Sequence, residues 1–173
     1  NSHWSAGHAE RVTVLAMALG RRMGVSAAEE EALHRGSLLH DIGKVGIPSA
    51  LLDKAGRLDA DEEALMRRHP ELGERILQPI PGFEDILPIV RSHHERLDGS
   101  GYPDRLRGNE IHMLARIVSV ADVYDALTYD RPYRAGYAPE AAKSYILAHP
   151  DMFEPQVLAA FRLVAQDDLV PRR

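Results

Sequence analysis

The run from His40 to Lys44 places an imidazole beside a carboxylate, with an ammonium group three residues beyond the carboxylate. A buried, ionised aspartate is costly unless it is paired with a cation or bound to a metal. Imidazole and carboxylate groups are ligands that zinc, iron, manganese and nickel accept, and a carboxylate can bridge two such ions. Two adjacent metals can direct a hydroxide at a phosphodiester. The run therefore predicts a metal centre with hydrolytic chemistry.

Other candidate ligands are spread along the chain. His8 precedes the first run, His69 and the tandem pair His93 and His94 follow it, and Asp122 comes last. Adjacent residues on a helix diverge by about 100°, so the tandem pair can bind one metal only where a helix ends. A lone histidine is more often structural than a ligand, and this interpretation is kept for His3, His34, His112 and His149. The combined spacing favours one shared metal centre.

Helical periodicity is the main local pattern, and no segment alternates as a strand would. Ser26 with Glu29, and Asp59 with Glu62, have the spacing of capping boxes that begin helices. The helix from Asp59 is expected to carry His69 near its end. We predict an all-α single domain, a bundle of about seven helices with ligands from four of them. The other predicted helices are 3–23, 26–41, 83–93, 113–129, one beginning at Pro139, and 155–167.

Composition limits the classes of function. The 173 residues fit one domain, carry a net charge of −5 and include no cysteine. Without a basic stripe, duplex nucleic acid is not an expected partner, and no apolar run is long enough to insert into a membrane. The lack of cysteine excludes thiolate ligands and suits a reducing cytoplasm. Because Asn1 is not a start methionine, we expect residues 1–173 to be a domain of a longer regulatory protein, soluble or anchored to a membrane.

The motifs resemble a known family over nearly the whole chain. His40-Asp41 with Lys44 resembles the signature of the HD superfamily of metal-dependent phosphohydrolases. The loop at Tyr102-Pro103, after the pair at His93, resembles the HD-GYP subfamily. The resemblance implies an enzyme, a phosphodiesterase that opens the bacterial second messenger cyclic di-GMP to linear pGpG or GMP. In that family the nucleophile is a hydroxide held by two metals.

The resemblance also implies a role for each matched residue. The ligands implied for one metal are His40, Asp41 and Asp122. Those implied for the second are His69, His93 and His94, with Asp41 as the bridge. His8 matches a further family ligand. Lys44, with Asp41, would be catalytic, and would contact the phosphate or protonate the leaving oxygen.

Three residues are implied as substrate contacts, namely Tyr102, Arg131 and Arg134. Cyclic di-GMP carries two phosphate charges, and guanidinium groups are suited donors to phosphate oxygens. The ring of Tyr102, on a loop rich in glycine, offers a flat face or a hydroxyl to a nucleotide. Without the metal cluster, a solvated turn would be the preferred interpretation of both arginines. For Tyr102, packing within the loop is the alternative to substrate contact.

The chain departs from the family pattern at Trp4. Members with three metals have a glutamate there, one helical turn before the histidine that His8 matches. Because tryptophan is no metal ligand, we expect two divalent transition-metal ions rather than three. The nitrogen and oxygen ligands suit iron or manganese, with nickel or zinc as alternatives. The bulky indole is also expected to slow the second cleavage to GMP.

Three functions remain open at this stage. The first is hydrolysis of cyclic di-GMP, and the second is hydrolysis of another cyclic dinucleotide such as cyclic GMP-AMP. The third is a catalytically inactive sensor of cyclic dinucleotides or a protein-interaction module. The complete set of ligands and the lysine favour an enzyme. From the resemblance alone, a homodimer and a regulatory domain in the full-length chain are the expected partners.

Overall fold

The computed structural model describes residues 7–54, 56–130 and 135–164, and every regular element in these ranges is helical. The all-α prediction is confirmed. The α-helices are α1 (His8–Met23), α2 (Ala27–Leu39), α3 (Ser49–Leu52), α4 (Ala60–Met66), α5 (His69–Leu77), α6 (Leu87–Ser92), α7 (Met113–Thr128), α8 (Pro139–Leu147) and α9 (Pro155–Leu163). Two 3-10 helices span Ile42–Gly46 and Gly108–Glu110. None of the described helices has the length and apolar character needed to cross a bilayer.

Helix α7 is the central helix of the bundle and contacts α1, α6, α8 and α9. It is apolar on almost every side, and Ile117, Val118 and Val120 are completely buried. Near its end Tyr124 meets Phe161 of α9 edge to face, with ring centroids 5.4 Å apart. A helix that is hydrophobic all round belongs in the core. Any charged group on α7 therefore requires a partner inside the protein.

Capping residues begin two of the helices as the sequence predicts. Ser26 Oγ accepts a hydrogen bond from the backbone N–H of Glu29, whose carboxylate accepts the N–H of Ser26 in return. Asp59 and Glu62 form the same reciprocal pair at the start of α4. Each pair satisfies two backbone donors that have no partner within the helix.

The helix that carries His69 was predicted wrongly. Helix α4 ends at Met66, and His69 is the first residue of α5 rather than the last turn of the helix before it. Pro70 fits this boundary, because proline is favoured in the first turn of a helix, where its missing N–H needs no partner. The candidate ligands come from five segments of the chain rather than from the four helices predicted.

Other boundaries differ by smaller amounts. Helix α2 ends at Leu39, so that His40 is its cap, and α6 begins at Leu87 rather than at residue 83. The short helix α3 was not predicted. Residues 3–6 and 165–167, the outer parts of the first and last predicted helices, lie outside the described residues. The candidate ligands thus cluster at helix ends, from which several side chains can converge on one point.

Gly43 allows the first 3-10 helix to pack closely against the start of α5. A Cβ atom on Gly43 would lie 1.8 Å from the carbonyl oxygen of His69 and 2.4 Å from the backbone nitrogen of Gly73. No side chain fits at this distance, so the contact requires glycine. It brings the turn at Asp41 and the N-terminus of α5 together.

The long polar loop after α6 is held by a buried carboxylate. Glu95 is 2% exposed and accepts hydrogen bonds from the backbone N–H groups of Asp104 and Leu106 at 2.7 and 3.1 Å. From the other side, Arg91 of α6 binds both carboxylate oxygens of Asp104. These bonds fix Tyr102 beside the pair of histidines that ends α6.

Candidate metal centre

The structure brings all the candidate metal ligands into one cluster. They come from the first turn of α1, the turn after α2, the start of α5, the end of α6 and the middle of α7. The side chains concerned are those of His8, His40, Asp41, His69, His93, His94 and Asp122. Trp4, Arg131 and Arg134 lie outside the described residues.

Asp41 lies between two groups of imidazoles. Its Oδ1 is 3.2 Å from His69 Nε2 and 4.0 Å from His93 Nε2. Its Oδ2 is 3.5 Å from Nε2 of both His8 and His40. We call Oδ2 of Asp41 with His8 and His40 the α1–α2 group, and Oδ1 with His69, His93 and His94 the α5–α6 group. In each group the potential ligand atoms lie within 4.8 Å of one another.

Asp122 connects the same two groups from α7. Its Oδ1 lies 3.3 Å from His8 Nε2 and 3.9 Å from His40 Nε2, while its Oδ2 lies 3.6 Å from His94 Nδ1. Two carboxylates therefore stand between imidazoles on both sides. This is an arrangement that can hold two cations close together.

Backbone carbonyls orient three of the imidazoles. His40, His69 and His93 each approach, with Nδ1, the carbonyl oxygen of the residue three positions earlier. Because a carbonyl oxygen only accepts, Nδ1 carries the hydrogen and Nε2 keeps its lone pair directed at the cluster. Such a bond is the usual outer support of a metal-binding histidine. The acceptors are Ser37, Met66 and Val90, at 2.6, 2.8 and 2.9 Å respectively.

Short distances between imidazole nitrogens show that the cluster fits cations. His69 Nε2 lies 3.3 Å from His93 Nε2, and His8 Nε2 lies 3.2 Å from His40 Nε2. Two lone pairs at this separation repel unless a proton or a metal ion lies with them. With only nitrogen and oxygen donors, the cluster is compatible with divalent transition metals.

The two central carboxylates are held in their ionised form. Burial alone would raise the pKa of Asp41, but the nearby charge of Lys44 and the attraction of the surrounding imidazoles hold it well below its usual range. Burial opposes ionisation of Asp122 in the same way, and its hydrogen bond with His8 together with the attraction of the surrounding imidazoles outweighs that effect, so this pKa is also well below normal. Both residues are therefore anions at neutral pH, as ligation requires.

Two of the imidazoles are held in their neutral form. Burial, reinforced by the neighbouring His94 and His40, places the pKa of His93 well below its usual range. Burial likewise lowers the pKa of His94 to about 3. A histidine must be neutral to bind a metal, so no proton has to leave these rings when a metal binds.

His8 differs from the other histidines in its electrostatic surroundings. Burial lowers its pKa, but hydrogen bonds to Asp122, Asp125 and Asp41 outweigh this and raise it to about 11. In the metal-free protein His8 is therefore an imidazolium that lies among three carboxylates. Metal binding at this position must therefore displace a proton.

A carboxylate and a guanidinium that the sequence analysis missed support His8. Its Nδ1 lies 2.7 Å from Asp125 Oδ2. Arg11 donates two hydrogen bonds to the same carboxylate, from Nε to Oδ1 at 2.6 Å and from Nη2 to Oδ2 at 3.0 Å. The available signal was spacing, because Arg11 follows His8, and Asp125 follows Asp122, by three residues on one helical face.

Two other predicted site residues lie at the edge of the cluster. Lys44 Nζ is 2.5 Å from Asp41 Oδ2, and its side chain is 36% exposed, so it reaches both the cluster and solvent. The ring of Tyr102 stacks on His94, with centroids 4.7 Å apart and planes inclined by 26°. Burial raises the pKa of Tyr102, so its hydroxyl stays protonated.

Comparison with known proteins relates this cluster to a family. A family model described as HD domain matches residues 1–157. The 3'3'-cGAMP-specific phosphodiesterase 3 of Vibrio cholerae is 43% identical over 134 residues, which cover 78% of this chain and 29% of that protein. The cyclic di-GMP phosphodiesterase response regulator RpfG of Xanthomonas campestris is 40% identical over 154 residues, covering 87% of this chain and 41% of that protein. The chain thus spans less than half the length of either relative.

A solved structure agrees with these matches. An HDG"Y"P protein from Bdellovibrio bacteriovorus superposes with a TM-score of 0.74 at 26% identity, covering 89% of this chain and 50% of that one. The HD turn at residues 40–41 and the Tyr102-Pro103 loop lie within the matched residues. The chain therefore belongs to the HD domain family, in its HD-GYP branch.

Proposed function

We propose that this domain is a metal-dependent phosphodiesterase that hydrolyses cyclic di-GMP to linear pGpG, GMP or both. The observation that carries the proposal is the position of Asp41, which presents one carboxylate oxygen to each of two imidazole groups. Relatives that share 40% identity or more with the chain are named as phosphodiesterases of cyclic dinucleotides. Their greater length supports a domain that works within a longer regulatory protein.

The metal centre is proposed to hold two divalent ions, iron or manganese. His40, Asp41 and Asp122 would bind one ion together with His8, whose Nε2 faces the same carboxylate oxygens. The second would be bound by His69, His93 and His94, with Asp41 as the bridge. When bound, such a pair polarises the phosphate and activates a water as the nucleophile.

The residues around the ions position the substrate and handle protons. Hydrolysis adds water to phosphorus and breaks a bond to a ribose oxygen, which must receive a proton. Lys44 donates one N–H to Asp41, and its remaining N–H groups can bind a phosphate oxygen or protonate that leaving oxygen. Tyr102, Arg131 and Arg134 are proposed to contact the dinucleotide.

A second cyclic dinucleotide is a specific alternative. The relative with 43% identity is named for 3'3'-cGAMP rather than cyclic di-GMP. The two ligands differ in one purine, while the phosphates and riboses that reach the metals are shared. The proposed chemistry is the same for both, so purine selectivity must be measured.

The test is incubation of manganese-loaded or iron-loaded protein with each dinucleotide, followed by chromatography of the products. We expect linear dinucleotide or mononucleotide to form, two ions per chain by metal quantification, and no turnover after chelation. Lys44→Met is expected to keep both ions and lose most turnover. Binding of either dinucleotide without turnover in loaded protein would instead identify a sensor.

A further inference from the structure

A cavity of about 440 Å³ lies beside the Tyr102 loop. Its charged lining is mainly basic, with Arg67, Arg68 and Arg105 against the carboxylate of Glu71. This is a local excess of positive charge in a chain whose net charge is −5. The volume lies in the range of ligand pockets, which is about 300–1,000 Å³. The cavity is therefore suited to an anionic ligand of nucleotide size.

Two of these arginines are available for a ligand. Among the described residues, Arg68 and Arg105 are exposed and neither side chain forms an ion pair or a hydrogen bond. Arg67 is partly engaged, because it pairs with Glu63 at 2.5 Å and its guanidinium carbon lies 5.0 Å above the ring of Tyr102. Guanidinium groups bind phosphate oxygens with paired N–H donors.

The cavity and the metal centre share a wall. Tyr102 lines the cavity, and its ring centroid lies 4.7 Å from that of His94 and 6.4 Å from that of His69. Arg68 directly precedes His69 in the chain. A ligand with one phosphate at the metals can therefore extend past Tyr102 into the cavity.

The backbone of Arg105 is an outlier at the rim of the cavity. With φ at 56°, it is the one non-glycine residue with a positive φ in the described part of the chain. This conformation is unfavourable for a residue with a Cβ and costs little for glycine. Non-glycine residues held in such conformations cluster at active sites and ligand-binding sites.

We propose that this cavity binds the phosphate of a cyclic dinucleotide that is not being cleaved, through Arg105 and Arg68. The assignment rests on the proposed function for the identity of the ligand. It adds a second anchoring point that is separate from the metals. Substrates with two phosphates gain this contact, whereas diesters with one phosphate do not.

The first test compares substrates in manganese-loaded protein. The double variant Arg68→Ala with Arg105→Gly is expected to raise the KM for cyclic di-GMP at least about tenfold, since hydrogen bonds to charged groups are strong. Its kcat is expected to change much less. The ratio of kcat/KM for cyclic di-GMP to kcat/KM for bis(p-nitrophenyl) phosphate should fall by a similar factor. The control is Arg75→Ala, an exposed arginine of α5 that does not line the cavity.

The second test separates binding from catalysis and from folding. The Kd of a phosphorothioate analogue of cyclic di-GMP, which resists hydrolysis, should rise at least about tenfold in the double variant. Arg105→Gly alone should weaken binding without lowering the thermal midpoint, because glycine relieves the positive φ. If Arg105 instead stabilised the fold, its replacement by glycine would lower that midpoint.

The outcomes distinguish the two proposals. An unchanged KM and Kd in the double variant would overturn the assignment of the cavity, as would an analogue that the unmodified protein does not bind. If the loaded protein hydrolyses neither substrate while the variants still weaken analogue binding, the hydrolase proposal fails and the cavity assignment stands.

Discussion

The two imidazole groups that share Asp41 are supported in different ways. In the α5–α6 group, His69 and His93 are fixed by backbone carbonyls only three residues earlier in the chain. In the α1–α2 group, His8 is fixed by Asp125 and Arg11, which join α1 to α7 across most of the chain. The α5–α6 group is therefore oriented by local backbone, whereas the α1–α2 group combines a local backbone bond at His40 with a long-range ion pair behind His8.

This difference predicts that the two groups differ in their affinity for divalent metal ions. The α5–α6 group offers three imidazoles, of which His93 and His94 are held neutral, and one oxygen of Asp41. The α1–α2 group lies against oxygens of both Asp41 and Asp122, with Asp125 behind His8. Imidazole-rich sites favour zinc, nickel or iron, whereas carboxylates also suit manganese. The α1–α2 group should therefore depend more on charge, and on proton release from His8.

The largest effect is expected where the two groups meet. Asp41→Ala should remove both ions and lower turnover by about 10³-fold or more, because metal catalysis supplies several kcal/mol of transition-state stabilisation. Metal quantification and product chromatography measure the two effects. Asp53→Ala, at an exposed aspartate, is the control. Two bound ions and normal turnover in Asp41→Ala would rule out a bridging role.

Removing one imidazole from each group should separate them. His69→Ala is expected to cost the ion of the α5–α6 group, and His8→Ala the ion of the α1–α2 group, each leaving about one ion per chain. Metal quantification after gel filtration gives the count, with exposed His34→Ala as the control. If His8→Ala retains two tightly held ions, His8 is not a ligand.

A smaller effect is expected behind His8. Asp125→Asn keeps the shape of the side chain but loses its charge, so we expect metal affinity in the α1–α2 group to fall about 10–100-fold. Metal titration against a competing chelator measures this, and affinity in the α5–α6 group should stay the same. Asp151→Asn, at an exposed position, is the control. Equal loss from both groups would indicate a general folding defect.

The same contrast explains how far the sequence could predict this site. The candidate ligands of both groups were identifiable because they stand in compact motifs, and the structure brings them together. Their ligation of metal remains a prediction. Arg11 and Asp125 were missed because their partnership links positions 114 residues apart, and the sequence alone does not show which helices meet.

The errors in the fold have a local origin. Capping boxes identified helix starts correctly, as at Asp59, because the signal lies within four adjacent residues. The end of that helix was missed because His69 was assigned to it, whereas Pro70 lies in the first turn of a new helix that His69 begins. The basic cavity could not be predicted, since Arg68 and Arg105 come from separate segments and meet only in the folded chain.

The smallest effect is expected at the outer support of the α5–α6 group. Arg91 of α6 joins Glu74 of α5 to Asp104 of the Tyr102 loop, and its hydrogen bonds lower the pKa of Asp104. Arg91→Ala should cost about 1 kcal/mol or less of unfolding free energy at pH 7, because the groups are partly exposed. Urea unfolding measures it, with Arg75→Ala as the control.

The pH dependence of that effect has a definite sign. A carboxyl with a lowered pKa stabilises the fold above its ordinary pKa of about 3.9 and loses that contribution as pH falls through the folded value. The unfolding free energies of wild type and Arg91→Ala should therefore converge in acid below that range. A difference that persists in acid would show that Arg91 acts by packing rather than by charge.

The contact at Gly43 has a consequence for how the chain tolerates change. It holds the Asp41 turn against the carbonyl of His69 directly, so the connecting segment from α3 to α4 does not set their separation. The entropic cost of closing a loop rises only slowly with the length of the loop. We therefore expect that insertions between α3 and α4, natural or engineered, leave the geometry of the candidate ligands unchanged.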